Sequence, residues 1–158
     1  MSGESSDPPR GDWLGAGVKR AGWAPLSLFT FHMVAMLELG LYQRYSRLDD
    51  VMHVIGGVVI AWFFLTVWRA AIATGVAGRP APALTPLLVL SLTAFAAMGW
   101  EVAEYVLDHL MGTHLQKSLD DTMSDMMYGL LGGALLVALS RRARQPVPRA
   151  ASAAREAL

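Results

Sequence analysis

Four runs of apolar residues divide the chain, at roughly 24–42, 51–68, 84–106 and 125–140. Each is apolar nearly all the way round the helix it would form, not along one stripe, which is the pattern of a helix surrounded by lipid or by other helices. A membrane-crossing helix needs about 20 mostly apolar residues to cover about 30 Å of hydrocarbon. The first three runs meet that length. The fourth is shorter, but residues 126–139 carry no charge and Asp125 need only reach the interface. No period-two alternation marks a strand. The pattern therefore predicts an all-α integral membrane bundle of four transmembrane helices, antiparallel in succession, over 24–140. A soluble helical bundle is the alternative that this all-round apolarity argues against.

The flanks are polar. Residues 1–23 hold Pro8, Pro9, Gly11, Gly15 and Gly17 and read as an N-terminal tail, with Trp13 and Trp23 suited to an interface. They do not read as a cleavable signal peptide, because the charged region is long and no small-residue cleavage site follows the first apolar run. Residues 141–158, rich in Ala and Arg with Pro146 and Pro148, read as a disordered basic tail. Such a tail gains about 1 kcal/mol per basic residue near anionic head groups. Four crossings put both termini on one side, with Arg10, Lys19, Arg20, Arg69, Arg79, Arg141, Arg142, Arg144, Arg149 and Arg155. Only Arg44, Arg47 and Lys117 lie on the other. Basic residues concentrate on the cytoplasmic side, so both termini are expected in the cytoplasm of a bacterial inner-membrane protein.

Composition sharpens this picture. The 158 residues suffice for one domain, 54% are hydrophobic and 16% charged, and mean hydropathy is +0.38, too apolar for an ordinary soluble domain. Net charge is zero, which gives no pull toward nucleic acid. The absence of cysteine removes disulfides, thiolate metal sites and cysteine nucleophiles.

The ionisable residues gather at the run boundaries. Asp49, Asp50 and His53 open the second run, Glu101 and Glu104 close the third, and Asp121 and Asp125 lead into the fourth. Antiparallel crossings carry all three clusters to one membrane face. Residues three and four apart share a helix face. On that rule His53 lies above Gly56, Gly57 and Ile60, Glu101 above Ala97 and Ala94, and Asp125 above Gly129, Gly132 and Gly133. Small residues mark faces where membrane helices approach closely, and Gly129-xxx-Gly133 has the close-packing spacing. The acids are thus expected to face the bundle interior, with Glu38 joining from the first run and His32 deeper and off that face. Crowded carboxylates either share protons or surround a cation. An aspartate opening a helix is also a common cap, and Asp50 suits that role better than Asp49. Capping does not account for Glu101 and Glu104 near a helix C-terminus, where the dipole disfavours acids.

The pattern Asp49-xxx-His53-xxx-Gly57, Trp100-Glu101-xx-Glu104, and Asp121-Thr122-xx-Asp125-xxx-Gly129 resembles the YjdF-like bacterial inner-membrane proteins, a family of unknown function, and the VanZ-like proteins share a similar layout. The resemblance covers about residues 40–140. It implies a polytopic membrane fold, with additional N-terminal spans in many relatives, and no particular activity.

A divalent metal site is the first chemical reading. One imidazole with several carboxylates suits zinc, manganese or iron, and Asp49, His53, Glu101, Glu104, Asp121 and Asp125 are the candidate ligands. Trp100, Tyr105, Tyr128 and Glu38 are candidate supports, while His109 and His114 read as loop residues. The second reading is a metal-assisted enzyme acting on a lipid or cell-envelope substrate, with Asp49 orienting His53 as a base. Ser118 and Ser124 lack a nucleophile-elbow setting. A third is proton-coupled transport, with the acids as a relay. The methionines, as soft copper ligands, are better read as packing. The expected partners are the lipid bilayer and a membrane-protein partner or second copy of the chain.

Overall fold

The computed structural model describes residues 12–45 and 47–143. Of the expected tails, residues 1–11 and 144–158 lie outside the described residues. Within them every regular element is a helix: α1 (Trp13–Ala21), α2 (Trp23–Leu37), α3 (Leu41–Arg44), α4 (Leu48–Ala73), α5 (Leu84–Met111) and α6 (Leu119–Arg142). Helices α4, α5 and α6 are each long and apolar enough to cross a membrane. At 1.5 Å per residue they extend about 36–42 Å.

The first apolar run behaves differently from the expected single span over 24–42. Helix α2 stops at Leu37, and Gly40 takes a left-handed φ of 57° before the short turn α3. A residue with a Cβ resists that conformation. Upstream, part of the expected polar tail is helical. Gly22 keeps right-handed helical dihedrals (φ −67°, ψ −20°). Its N–H donates to the Val18 carbonyl at 2.7 Å, and Leu26 N–H donates back to the Gly22 carbonyl at 3.4 Å. So α1 and α2 form one helical path over 13–37 with a joint at glycine.

That path runs antiparallel to α4. Gly17 sits against Val67, the Trp23 and Trp62 rings meet edge-on at 6.0 Å, and Leu28 faces Gly56. Glycine is needed at position 17, because an added Cβ would lie 2.8 Å from the Val67 Cα. Helices α4 and α6 run parallel, and α5 lies antiparallel to both. The α4–α6 contact is the tightest. Added Cβ atoms on Gly57 and Gly132 would overlap the carbonyl oxygens of Gly129 and Val54. Gly133 packs on Thr93 and Gly129 on Ala97, so the small-residue faces meet as the spacing predicts.

A small apolar core of Ala61, Leu65, Val89 and Val137 fills the end away from the acid clusters. There Trp68 Nε1 donates to Thr85 Oγ1 at 3.0 Å, tying the end of α4 to the start of α5. Large apolar side chains point outward in number, among them Phe95, Met127, Leu87 and Leu139. An apolar exterior over helices of this length is the surface that lipid covers.

Candidate functional site

Each ionisable cluster is set by a helix end, but at positions shifted from the apolar boundaries. Helix α4 starts three residues before its apolar run, so Asp49 and Asp50 fall in its first turn, where the dipole favours acids. Its N-cap is Arg47, which makes no side-chain cap bond, so neither aspartate is the cap. Helix α6 starts at Leu119, and Ser118 caps it: the Asp121 N–H donates to Ser118 Oγ at 3.1 Å. Asp121 Oδ2 in turn accepts from the Lys117 N–H at 3.4 Å, so of the two acids it is the Asp125 carboxylate that is not spent on the helix end. Helix α5 continues to Met111, which puts Glu101 and Glu104 well inside it and not in its last turn.

These helices bring five of the expected ligands together. His53 Nε2 lies 3.6 Å from Asp49 Oδ1 and 3.6 Å from Asp125 Oδ2. Asp125 is 3% exposed and Glu101 4% exposed. Donor atoms of His53, Glu101 and Asp125 all lie within 4.8 Å of one another. So do those of Asp49, Asp121 and Asp125, giving two groups that share Asp125.

The groups differ in what already serves them. Lys117 closes the outer one, with Nζ donating to Asp49 Oδ2 at 2.6 Å and reaching Asp121 Oδ1 at 3.5 Å. Partial burial works against the lysine's charge, but the hydrogen bond and charge of Asp49, with Asp121, outweigh it and hold its pKa above the usual value. The inner group has no such lysine or arginine among the described residues. Both carboxylate oxygens of Glu101 are buried without a hydrogen-bond partner among the described residues.

Glu104 stands apart from both groups. Its Oε1 accepts from Trp100 Nε1 at 2.8 Å. The Trp100 ring in turn makes T-shaped contacts with Phe29 at 6.0 Å and His32 at 5.1 Å. His32 is buried, and its Nδ1 is hydrogen-bonded to the Tyr42 hydroxyl at 2.6 Å. Spacing along one straight helix puts His32 and Tyr42 about 15 Å apart; the break at Gly40 turns Tyr42 back over His32. Glu38 is exposed at the end of α2. Tyr105 is exposed and its ring rests on His109, with centroids 4.2 Å apart. Tyr128 is half-buried on α6, and His114 is exposed in the loop.

Sequence reasoning missed the loop residues that frame the site. Asp108 gathers the 112–118 loop by accepting from Thr113 Oγ1 and from the N–H groups of Leu115 and Gln116, at 2.6, 2.8 and 3.0 Å. Gln116 Nε2 then donates to the Glu101 carbonyl at 3.0 Å, and Lys117 is delivered to the aspartates. The one available signal was that Lys117 is the single basic residue between two acid clusters.

Comparison with known proteins gives a family and no activity. An uncharacterized protein of Thermotoga maritima is 31% identical over 104 residues, covering 64% of this chain and 51% of its own length. The chain thus spans about half the length of this curated relative. No solved structure matches. A family model described as "Predicted membrane protein (DUF2238)" matches residues 21–146; the motifs of the YjdF-like resemblance fall inside that range, and the chain belongs to this family of predicted membrane proteins.

Proposed function

We propose that the chain is a polytopic bacterial inner-membrane protein that holds one divalent cation between His53, Glu101 and Asp125. The observation that carries this reading is the Glu101 carboxylate, 4% exposed and without a well-aligned hydrogen bond among the described residues, with only the Gln116 and Thr122 side chains nearby as donors. Burying a carboxylate without a partner is costly enough that it is either neutralised or paired with a cation. A second buried carboxylate and an imidazole nitrogen within 4.8 Å make a metal the fitting cation. Metal–donor bonds of about 2.0–2.2 Å place neighbouring tetrahedral ligands about 3.4 Å apart. The His53–Asp125 separation of 3.6 Å is close to that, and too long for a hydrogen bond. One imidazole with two carboxylates suits zinc, manganese or iron. Asp49 Oδ1 lies 3.6 Å from the same imidazole nitrogen and adds negative charge beside the group, with Asp121 and Lys117 on its outer side.

The accompanying topology has four crossings, with both termini cytoplasmic. The α1–α2 path serves as the first crossing, since residues 13–37 extend about 37 Å. Lys19 and Arg20, both exposed, then reach back to the cytoplasmic interface along their aliphatic stems. The metal group faces the opposite side.

A metal-assisted enzyme acting on a lipid or cell-envelope substrate is the second reading. Three protein donors leave a coordination position for water or substrate, and a cavity reaches His53 from the bilayer side. Proton-coupled transport gains no comparable support, because the acidic donors gather at one end of the bundle with the apolar core beyond them.

Thermal unfolding of chelator-treated protein, with zinc, manganese or ferrous ion added back, tests the metal reading. A cation held at 100 times its dissociation constant adds about 2.7 kcal/mol of stability, so the midpoint rises with metal in the wild type and not in Glu101→Gln. An unchanged midpoint with all three metals contradicts the proposal.

A further inference from the structure

Directly beneath the His53–Glu101–Asp125 group, α2, α4, α5 and α6 line a half-open cavity of about 320 Å³. Small-molecule pockets run from roughly 300 to 1,000 Å³. The cavity follows α4 from His53 to Ile60 and α5 from Trp100 to Thr93, about 10–12 Å toward the bilayer centre.

Its wall is carbon almost throughout, including Leu28, Phe29, Met52 and Ile60. The polar side chains on it are His32, Thr93, Trp100 and His53. Three are already bonded: Thr93 Oγ1 donates to the Val89 carbonyl at 2.8 Å, His32 pairs with Tyr42, and Trp100 Nε1 donates to Glu104. Polar recognition is left to His53, at the end of the cavity that adjoins the metal group, and to the second ring nitrogen of His32. A sugar, a nucleobase or a peptide backbone would lose its hydrogen bonds along the rest of the wall. A hydrocarbon chain would lose none.

Glycine usage points the same way. Gly57 is glycine because α6 presses on it, but Gly56 is not: a Cβ there would meet only the Leu28 Cδ2, at 4.0 Å. Its missing side chain leaves room in the cavity and serves no helix contact. Nor do the α2 and α5 backbones pack together; Phe29, His32 and Trp100 close the gap with rings. That seam of side chains lies at the depth of the surrounding lipid tails.

The geometry points to this cavity as a binding site for one fatty-acyl chain of a membrane amphiphile, entering between α2 and α5 with its polar end at the His53–Glu101–Asp125 group. The placement of the polar end rests on the metal reading; the chain pocket does not.

Photolabelling of the full chain in phosphatidylcholine vesicles, with a fatty acid carrying a mid-chain diazirine, tests it. Cross-links are mapped by peptide mass spectrometry and metal content is measured on the same samples. Phe29 and Trp100 are expected to label about tenfold above Phe95, a lipid-facing residue, and to fall to its level in Gly56→Leu. Metal content stays unchanged in that variant. Equal labelling of Trp100 and Phe95 in the wild type overturns the pocket, as does undiminished Trp100 labelling in a folded Gly56→Leu. Should Gly56→Leu fail to fold, excess unlabelled oleate decides with the wild type: it suppresses labelling at Trp100 but not at Phe95 if the site is saturable, and parallel behaviour overturns the proposal. Pocket labelling without bound metal removes the metal reading and leaves the acyl site standing.

Discussion

Lys117 Nζ lies 2.6 Å from Asp49 Oδ2, joining the last loop to the start of α4 across 68 residues of chain. This cation pairs with Asp49 and Asp121 of the outer group and with none of the donors of the inner group. Lys117 is 57% exposed, so the pair resembles a surface ion pair, worth about 1 kcal/mol or less. Lys117→Met should therefore lower stability slightly and leave the inner group's metal in place. The lysine's pKa is raised on folding. Its contribution is thus fully present below the unfolded value of about 10.4 and is lost as pH rises through the folded value. The stability difference between wild type and Lys117→Met should stay flat through the neutral range and close only in strong alkali. Denaturation midpoints across a pH series check this; a difference that closes near neutrality contradicts it.

Neighbouring glycines should respond in opposite ways. An added methyl on Gly57 collides with the Gly129 carbonyl, whereas on Gly56 it enters open space. Overpacking of a fitted contact costs about 1–3 kcal/mol, and alanine in a helix interior gains up to about 1 kcal/mol over glycine. Gly57→Ala should lower the unfolding midpoint clearly, and Gly56→Ala should leave it unchanged or raise it. Equal effects would mean that α4 and α6 are not in backbone contact.

Tyr42→Phe removes the hydroxyl bonded to His32 Nδ1, inside a largely buried pair. A lost hydrogen bond of this kind costs about 0.5–1.5 kcal/mol. The variant should be destabilised by that amount with metal content unchanged, since His32 belongs to neither donor group. Loss of metal from Tyr42→Phe would place His32 in the first coordination shell.

Much of this molecule is legible in its sequence because membrane helices announce themselves by apolar length. The runs that became α4, α5 and α6 are visible directly, and the three-and-four spacing correctly puts Gly57, Ala97, Gly129, Gly132 and Gly133 on packing faces, while Thr93, which Gly133 meets, is not among the positions it marks. The convergence of Asp49, His53, Glu101, Asp121 and Asp125 follows from topology plus that spacing. What the pattern hid depends on backbone joints and lone residues. Gly22 keeps helical dihedrals, so a stretch with Lys19 and Arg20 joins α2, although its charges read as a tail. Gly40 breaks the first run and brings Tyr42 over His32, which no straight-helix spacing reveals. Glu104 shares a face with Glu101 on paper, yet a tryptophan one turn earlier takes its carboxylate. Asp108 and Lys117 carry no periodic signal. The VanZ-like layout remains a likeness of motifs.

Elemental analysis of the detergent-purified protein tests the cation between His53, Glu101 and Asp125. One zinc, manganese or iron per chain is expected in the wild type and in Glu104→Gln, and its loss in both His53→Ala and Glu101→Gln. Wild-type protein without stoichiometric metal, or Glu101→Gln that keeps it, rules the cation site out.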